Sequence, residues 1–132
     1  MATASAFSLG SNRRLKREQQ IQTLFRTGKA FSVFPLRIIW MLAPRGDADE
    51  FARAGFSAPK KKFKRAADRG RAKRLMREAW RLQQAALADA IPETQQMLVF
   101  LLCTHTAVPD YEAVFTAVGK GIEKLKKALA DA

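Results

Sequence analysis

The chain has 132 residues, 48% of them hydrophobic, which suits one domain with its own core and excludes a disordered chain. Lys and Arg number 24 against 12 acids, a net charge of +12, and such a balance points to a polyanionic partner: nucleic acid first, a membrane surface or an acidic protein after it. One cysteine excludes an internal disulfide, and the longest apolar run, residues 97–103, is too short to cross a bilayer.

The opening MATASAFSLG has neither the basic n-region nor the apolar h-region of a secretory signal, so a cytoplasmic protein is expected. Residues 1–12 are small and polar and read as a flexible N-terminal segment, with a single domain over residues 13–132. From Arg13 a helix is expected: Leu15, Ile21, Leu24 and Phe25 fall near helical spacing, and Gly28 suits the position past its end. AFSVFPLRIIWML is rich in aromatic and β-branched residues and reads as two strands, separated at Pro35, which cannot donate to a ladder. APRGDADE is a polar turn. FARAGFSA is a weaker third strand, expected to pair back as a hairpin and ended by Pro59.

Residues 66–90 read as one long helix stopped near Pro92, and MLVFLLCT as a strand buried on both faces. Asp110 is a suitable N-cap for the last helix, whose apolar stripe is Val114, Val118, Ile122, Leu125 and Leu129. Gly119 and Gly121 lie inside it, at a cost of about 1 kcal/mol each relative to Ala. The order α-β-β-β-α-β-α makes an α+β sandwich, one sheet packed by helices.

The charge is concentrated. Residues 60–81 hold eleven Lys/Arg and two acids, Asp68 and Glu78, so +9 of the +12 lies there. On a helical projection with Arg69 at zero, Leu82, Leu75, Ala79, Ala72 and Met76 occupy an arc of roughly 220° to 340°. Lys73, Arg77, Arg81 and Arg74 occupy roughly 40° to 140°, with Trp80 at the border. The helix is expected to bury one side and offer a row of cations on the other. Cations four residues apart (Arg69, Lys73, Arg77) are about 6 Å apart along the axis, close to successive phosphates of a single strand. One glutamate between Arg74 and Arg81 cannot balance so many cations as a merely solubilising face would require.

GFSAPKKKFKRAADRGRAKRLMREAWR closely resembles the signature region of the bacterial ribonuclease P protein family. The matching residues are Phe56-Ser57, Lys61-Lys62, Arg69-Gly70-Arg71, Lys73-Arg74 and Arg77-Glu78. RLKREQQIQTLFRTGKAF is similar to the family's first helix and turn. Gly70 stands where the family usually has Asn. Ile21 stands where it often has an aromatic, and CTHT, neutral apart from His105, where it often has a basic residue.

The resemblance implies a left-handed crossover through the basic helix, against the general right-handed rule. It also implies an endoribonuclease holoenzyme that removes the 5′ leader from precursor tRNA. Catalysis and Mg²⁺ would reside in its RNA subunit, and the chain's partners would be that RNA and precursor tRNA. The RNA-binding residues it implies are Lys60, Lys61, Lys62, Lys64, Arg65, Arg69, Arg71, Lys73, Arg74, Arg77 and Arg81. A cleft between the first helix and the sheet would take the leader, lined by Arg17, Ile21, Phe25, Arg37 and Trp40, aromatic surface beside cations. Phe25 and Trp40 suit a core equally well.

The residues carry no sign of protein chemistry. Cys103 sits in an apolar strand, His105 has no carboxylate or nucleophile near it in sequence, and Asp47, Asp49 and Glu50 read as a solvated acidic loop rather than cation ligands. Two other classes share the electrostatics: a structural RNA-binding protein of ribosomal type, and a self-sufficient nuclease, against which the missing carboxylate pair argues.

Overall fold

The computed structural model describes residues 18–131. The expected segment 1–12, the helix start at Arg13 and the cleft residue Arg17 lie outside them. Helix α1 (Glu18–Thr27) ends where Gly28 N donates to Leu24 O at 2.8 Å. Strands β1 (Lys29–Val33) and β2 (Leu36–Pro44) form a hairpin closed by Val33 opposite Leu36, with Phe34-Pro35 as the turn. Then come β3 (Ala52–Ser57), α2 (Ala66–Gln83), a 3-10 segment (Gln84–Ala90), β4 (Gln95–Cys103) and α3 (Tyr111–Ala130). The element order is the one read from the sequence.

Two expectations about these elements are corrected. The sheet order is β1-β2-β4-β3, so β3 does not fold back on β2. β4 lies between them, antiparallel to β2 and parallel to β3. β4 is the most apolar strand, and an inner position covers both its faces and pairs both its edges; β3, with Arg53 and Gly55, tolerates the edge. The basic helix also stops at Gln83 instead of continuing to residue 90. In the 3-10 segment side chains three apart eclipse, which sends Gln84 and Leu87, both fully buried, into the same side of the core.

α1 covers one face of the sheet, where Leu24 meets Ile39 and Leu98 with Ile21, Met41 and Phe100 around them. α2 and α3 cover the other. There Met76, Trp80, Val114 and Ile122 share a core with Ile38, Trp40, Val99 and Leu101. Asp110 caps α3 as expected, its carboxylate accepting from Ala113 N at 2.8 Å. The expected stripe of α3 is buried from Val114 through Leu125, with Leu129 packed at its edge. Gly121 explains its own helix penalty: a Cβ there would stand 2.5 Å from Ile38 Cδ1, so the bare backbone is what lets α3 lie against β2.

Candidate nucleic-acid interface

The polar face of α2 is set by what α2 buries. Ala72, Met76, Ala79 and Trp80 are all buried, whereas Leu82 is 38% exposed. The buried arc therefore centres nearer Trp80 than the projection placed it, running from roughly 280° at Ala79 to roughly 20° at Trp80. Trp80 is the larger apolar surface, and sinking it outweighs leaving Leu82 in water. The rotation leaves Arg71, Lys73 and Arg74 exposed on the outer side, and it draws Arg69 toward the protein.

Arg69 is consequently tied to the protein through one of its guanidinium nitrogens. Its Nη1 donates to Phe63 O at 2.8 Å and to Lys64 O at 3.2 Å. It thus fastens the turn that precedes the helix. Within that turn Lys62 N and Phe63 N both donate to Pro59 O at 3.0 Å, and Phe63 is buried to 2% exposure. With Phe63 as anchor, Lys60, Lys61 and Lys62 are pushed outward, and Lys64 and Arg65 are exposed beside them. No side chain caps the start of α2, so its positive end adds to the field of these cations.

Arg77 is half-buried with its guanidinium 6.0 Å from the centre of the Phe56 ring, a stack that holds the group at the β3 edge. Arg81 pairs with Glu78 at 2.5 Å. The hydrogen bond from Arg81 holds the Glu78 carboxyl below its ordinary range, and the same bond raises Arg81. Among the described residues Arg81 is the one cation of residues 60–81 that an acid meets in an ion pair. Glu78 hydrogen-bonds Arg81 rather than bridging it to Arg74. At Gly70 a Cβ would find only Arg74 Nη1, at 3.4 Å, so the space for a side chain there is open.

The second feature is the α1 face of the sheet. Strand partners share a face, so Arg37, Leu102 and Ser57 form one row across it, and Ile39, Phe100 and Gly55 the next. Phe25 is 46% exposed and meets Phe100 edge-on, ring centres 5.0 Å apart. Ile21 packs beneath it against the Leu24 cluster. Arg37 is exposed, 3.4 Å from Ser32 Oγ. Thus Ile21, Phe25 and Arg37 come together on one face. Trp40 does not join them: it points to the opposite face, 6% exposed, in the core under α2 and α3 with Lys29 Nζ 5.6 Å from its ring. Residue parity decides this, since Trp40 is odd-numbered steps from both Arg37 and Ile39. A recess of about 390 Å³ lies along the first turns of α1, lined by residues such as Gln20, Thr23, Met41 and Leu98.

Sequence reading missed Phe100 and Gly55 as parts of this face. β4 is apolar at every central position, so alternation could not say which of its residues look toward α1. Gly55 pairs with Phe100 and puts no side chain beside it.

Elsewhere the groups capable of chemistry are occupied structurally. Asp49 accepts from Gly46 N and from Gln96 Nε2 and pairs with Arg53 at 2.6 Å, which knits the acidic loop to β3 and β4. Cys103 is buried, and burial pushes its thiol pKa up. Among the described residues no three of His, Cys, Asp and Glu gather as a metal-holding group, and no helix is long and apolar enough to cross a membrane.

A three-layer α+β domain that displays a cationic turn and helix beside a partly aromatic sheet face has the electrostatics of a nucleic-acid-binding protein. The family model described as Ribonuclease P matches residues 9–126. Ribonuclease P protein components from two Porphyromonas gingivalis strains are 34% identical over 126 and 128 residues, covering 95% of this chain and 91% of theirs. In architecture the chain is similar to the Staphylococcus aureus RNase P protein, with TM-score 0.65 and 15% identity over 87% of this chain and 95% of that one. It is also similar to the Thermotoga maritima RNase P protein, with TM-score 0.63 and 17% identity over 84% and 96%. The chain belongs to the ribonuclease P protein family, with an RNA partner and a role in processing the 5′ end of tRNA.

Proposed function

We propose that the chain acts as an electrostatic and positioning subunit, with catalysis carried by the ribonuclease P RNA. The observation that supports this best is the surface from Lys60 to Arg81: eleven cations within 22 residues, one of them neutralised by an acid among the described residues. Such a surface lowers the repulsion between two RNAs brought together. In this reading the exposed lysine turn and Arg71, Lys73 and Arg74 take phosphates of the folded RNA subunit, and Arg69 keeps the turn in place. Arg77, held over Phe56, presents its remaining donors at the sheet edge.

The α1 face takes the single-stranded leader of precursor tRNA. Phe25 and Phe100 offer apolar ring surface to bases, and Arg37 offers a fork to the backbone. Mg²⁺, bound by the RNA subunit, would polarise the scissile phosphate and activate water there. The holoenzyme works in the cytoplasm.

The test is reconstitution. The purified chain should restore precursor-tRNA cleavage by a bacterial ribonuclease P RNA at low magnesium, and it should favour leader-bearing over leaderless tRNA. Equal affinity for the two tRNAs would reduce the chain to a structural RNA-binding protein. Magnesium-dependent cleavage by the chain without RNA would move catalysis into the protein.

A further inference from the structure

Phe34 is the most exposed large apolar side chain among the described residues, at 74%. It is displayed rather than loose. Val33 and Leu36 pair directly on either side of its turn. The next residue, Pro35, is buried, and its carbonyl accepts from Thr104 N at 2.9 Å and Thr104 Oγ1 at 3.2 Å, which clamps the turn to the end of β4. The His105 ring, 5.1 Å away at 54°, supports the Phe34 ring from one side. Beside Phe34 opens a recess of about 400 Å³ lined by Glu112, Thr116 and Lys120 of α3, a volume that suits a base with its sugar.

Topology places this feature next to the basic surface. β3 and β4 run parallel, so the end of β3 that leads into the Lys60–Lys62 turn and the end of β4 that leads to His105 lie at the same end of the sheet. β2 runs antiparallel to β4, so its start, and with it the Phe34-Pro35 turn, lies there too. Two strand spacings separate the β3 end from β2, about 10 Å. A single strand whose phosphates rest on the lysine turn thus passes within reach of Phe34.

We propose that Phe34 is a stacking platform for one unpaired nucleotide of the RNA carried on the basic surface, separate from the α1 face. The base lies on the ring, Lys120 meets its phosphate, and the Glu112 carboxylate accepts from an exocyclic amino group. A second copy of the chain is the weaker occupant, because it would set +12 against +12. The proposal rests on the RNA-binding reading above. The unpaired base belongs either to the RNA subunit or to the precursor leader, and the experiment separates them.

Phe34→Leu keeps an apolar side chain and removes the ring; Phe34→Tyr restores it. Two affinities are measured for each variant: that of the chain for ribonuclease P RNA, and that of the assembled holoenzyme for precursor and for mature tRNA. Phe34→Leu should weaken one of them by about 5- to 150-fold, the loss of one base stack, with Phe34→Tyr close to wild type. The slope against salt should stay the same, since no phosphate contact is lost. A loss in RNA-subunit affinity assigns the base to that RNA; a loss confined to precursor tRNA assigns it to the leader. Unchanged affinities in both arms overturn the proposal. So does sedimentation that shows wild-type dimers dispersed by Phe34→Leu. If the wild-type chain binds neither RNA, the RNA reading itself fails, whatever Phe34 does.

Discussion

Phe25→Ala separates a groove from a core. A Phe wholly inside a core costs about 3 to 5 kcal/mol on truncation to Ala. Phe25 is 46% exposed, so roughly half its transfer term is already forgone, and an open flank leaves no sealed cavity; about 1 to 2 kcal/mol remains. The edge-on pair with Phe100 adds about 0.5 to 1.5 kcal/mol, and the better helix propensity of Ala returns about 0.5. The expected loss is therefore about 1 to 3 kcal/mol, read by urea unfolding. Leu24→Ala is the control: Leu24 is fully buried in the same helix and should cost about 2 to 5 kcal/mol. The functional signature is discrimination. Holoenzyme with Phe25→Ala should lose about 1 to 3 kcal/mol of affinity for precursor tRNA and little for mature tRNA, because only the leader offers unpaired bases to the ring. Equal weakening of both tRNAs by a folded variant would refute the groove. A stability loss as large as that of a sealed core site would refute the geometry behind it.

Arg69→Lys keeps the charge but loses the fork that holds Phe63 O and Lys64 O, so trypsin should nick the Lys60–Lys64 turn faster while the salt slope of RNA binding stays near wild type. Arg69 is a phosphate contact instead if nicking is unchanged and Arg69→Gln lowers that slope by about 0.7 to 0.9. Gly70→Ala should stabilise the fold by up to about 1 kcal/mol, since its space is open, whereas Gly121→Ala should destabilise it by about 1 to 2 kcal/mol as overpacking against Ile38 outweighs the propensity gain; thermal melts with the signs reversed would contradict the packing of α3. Burial raises the Cys103 thiol, so above the ordinary thiol range the unfolded chain ionises while the folded one does not. Stability should then fall as pH rises through that window, with no contribution from this group below it. Cys103→Ala should flatten that slope, and a native thiol that reacts with a disulfide reagent as fast as the unfolded one would show the burial to be wrong.

Composition and period by themselves determined the polyanion partner, the element order and the polar side of α2, because charge density and hydrophobic spacing are local properties of the chain. The signature from Phe56 to Glu78 carried the family, and the Asp110 cap and the α3 stripe followed from residue type and spacing alone. Tertiary structure decided the rest. Whether β3 pairs with β2 or with β4 is a contest between strands 40 residues apart, won by the strand with most apolar surface to cover. The face to which Phe100 points is invisible in a run apolar on both sides. Trp40 left the groove by parity, once the register set which face α1 occupies. Arg69 came to hold the lysine turn because Trp80, the largest apolar side chain on α2, took the buried position and turned that side of the helix toward the protein.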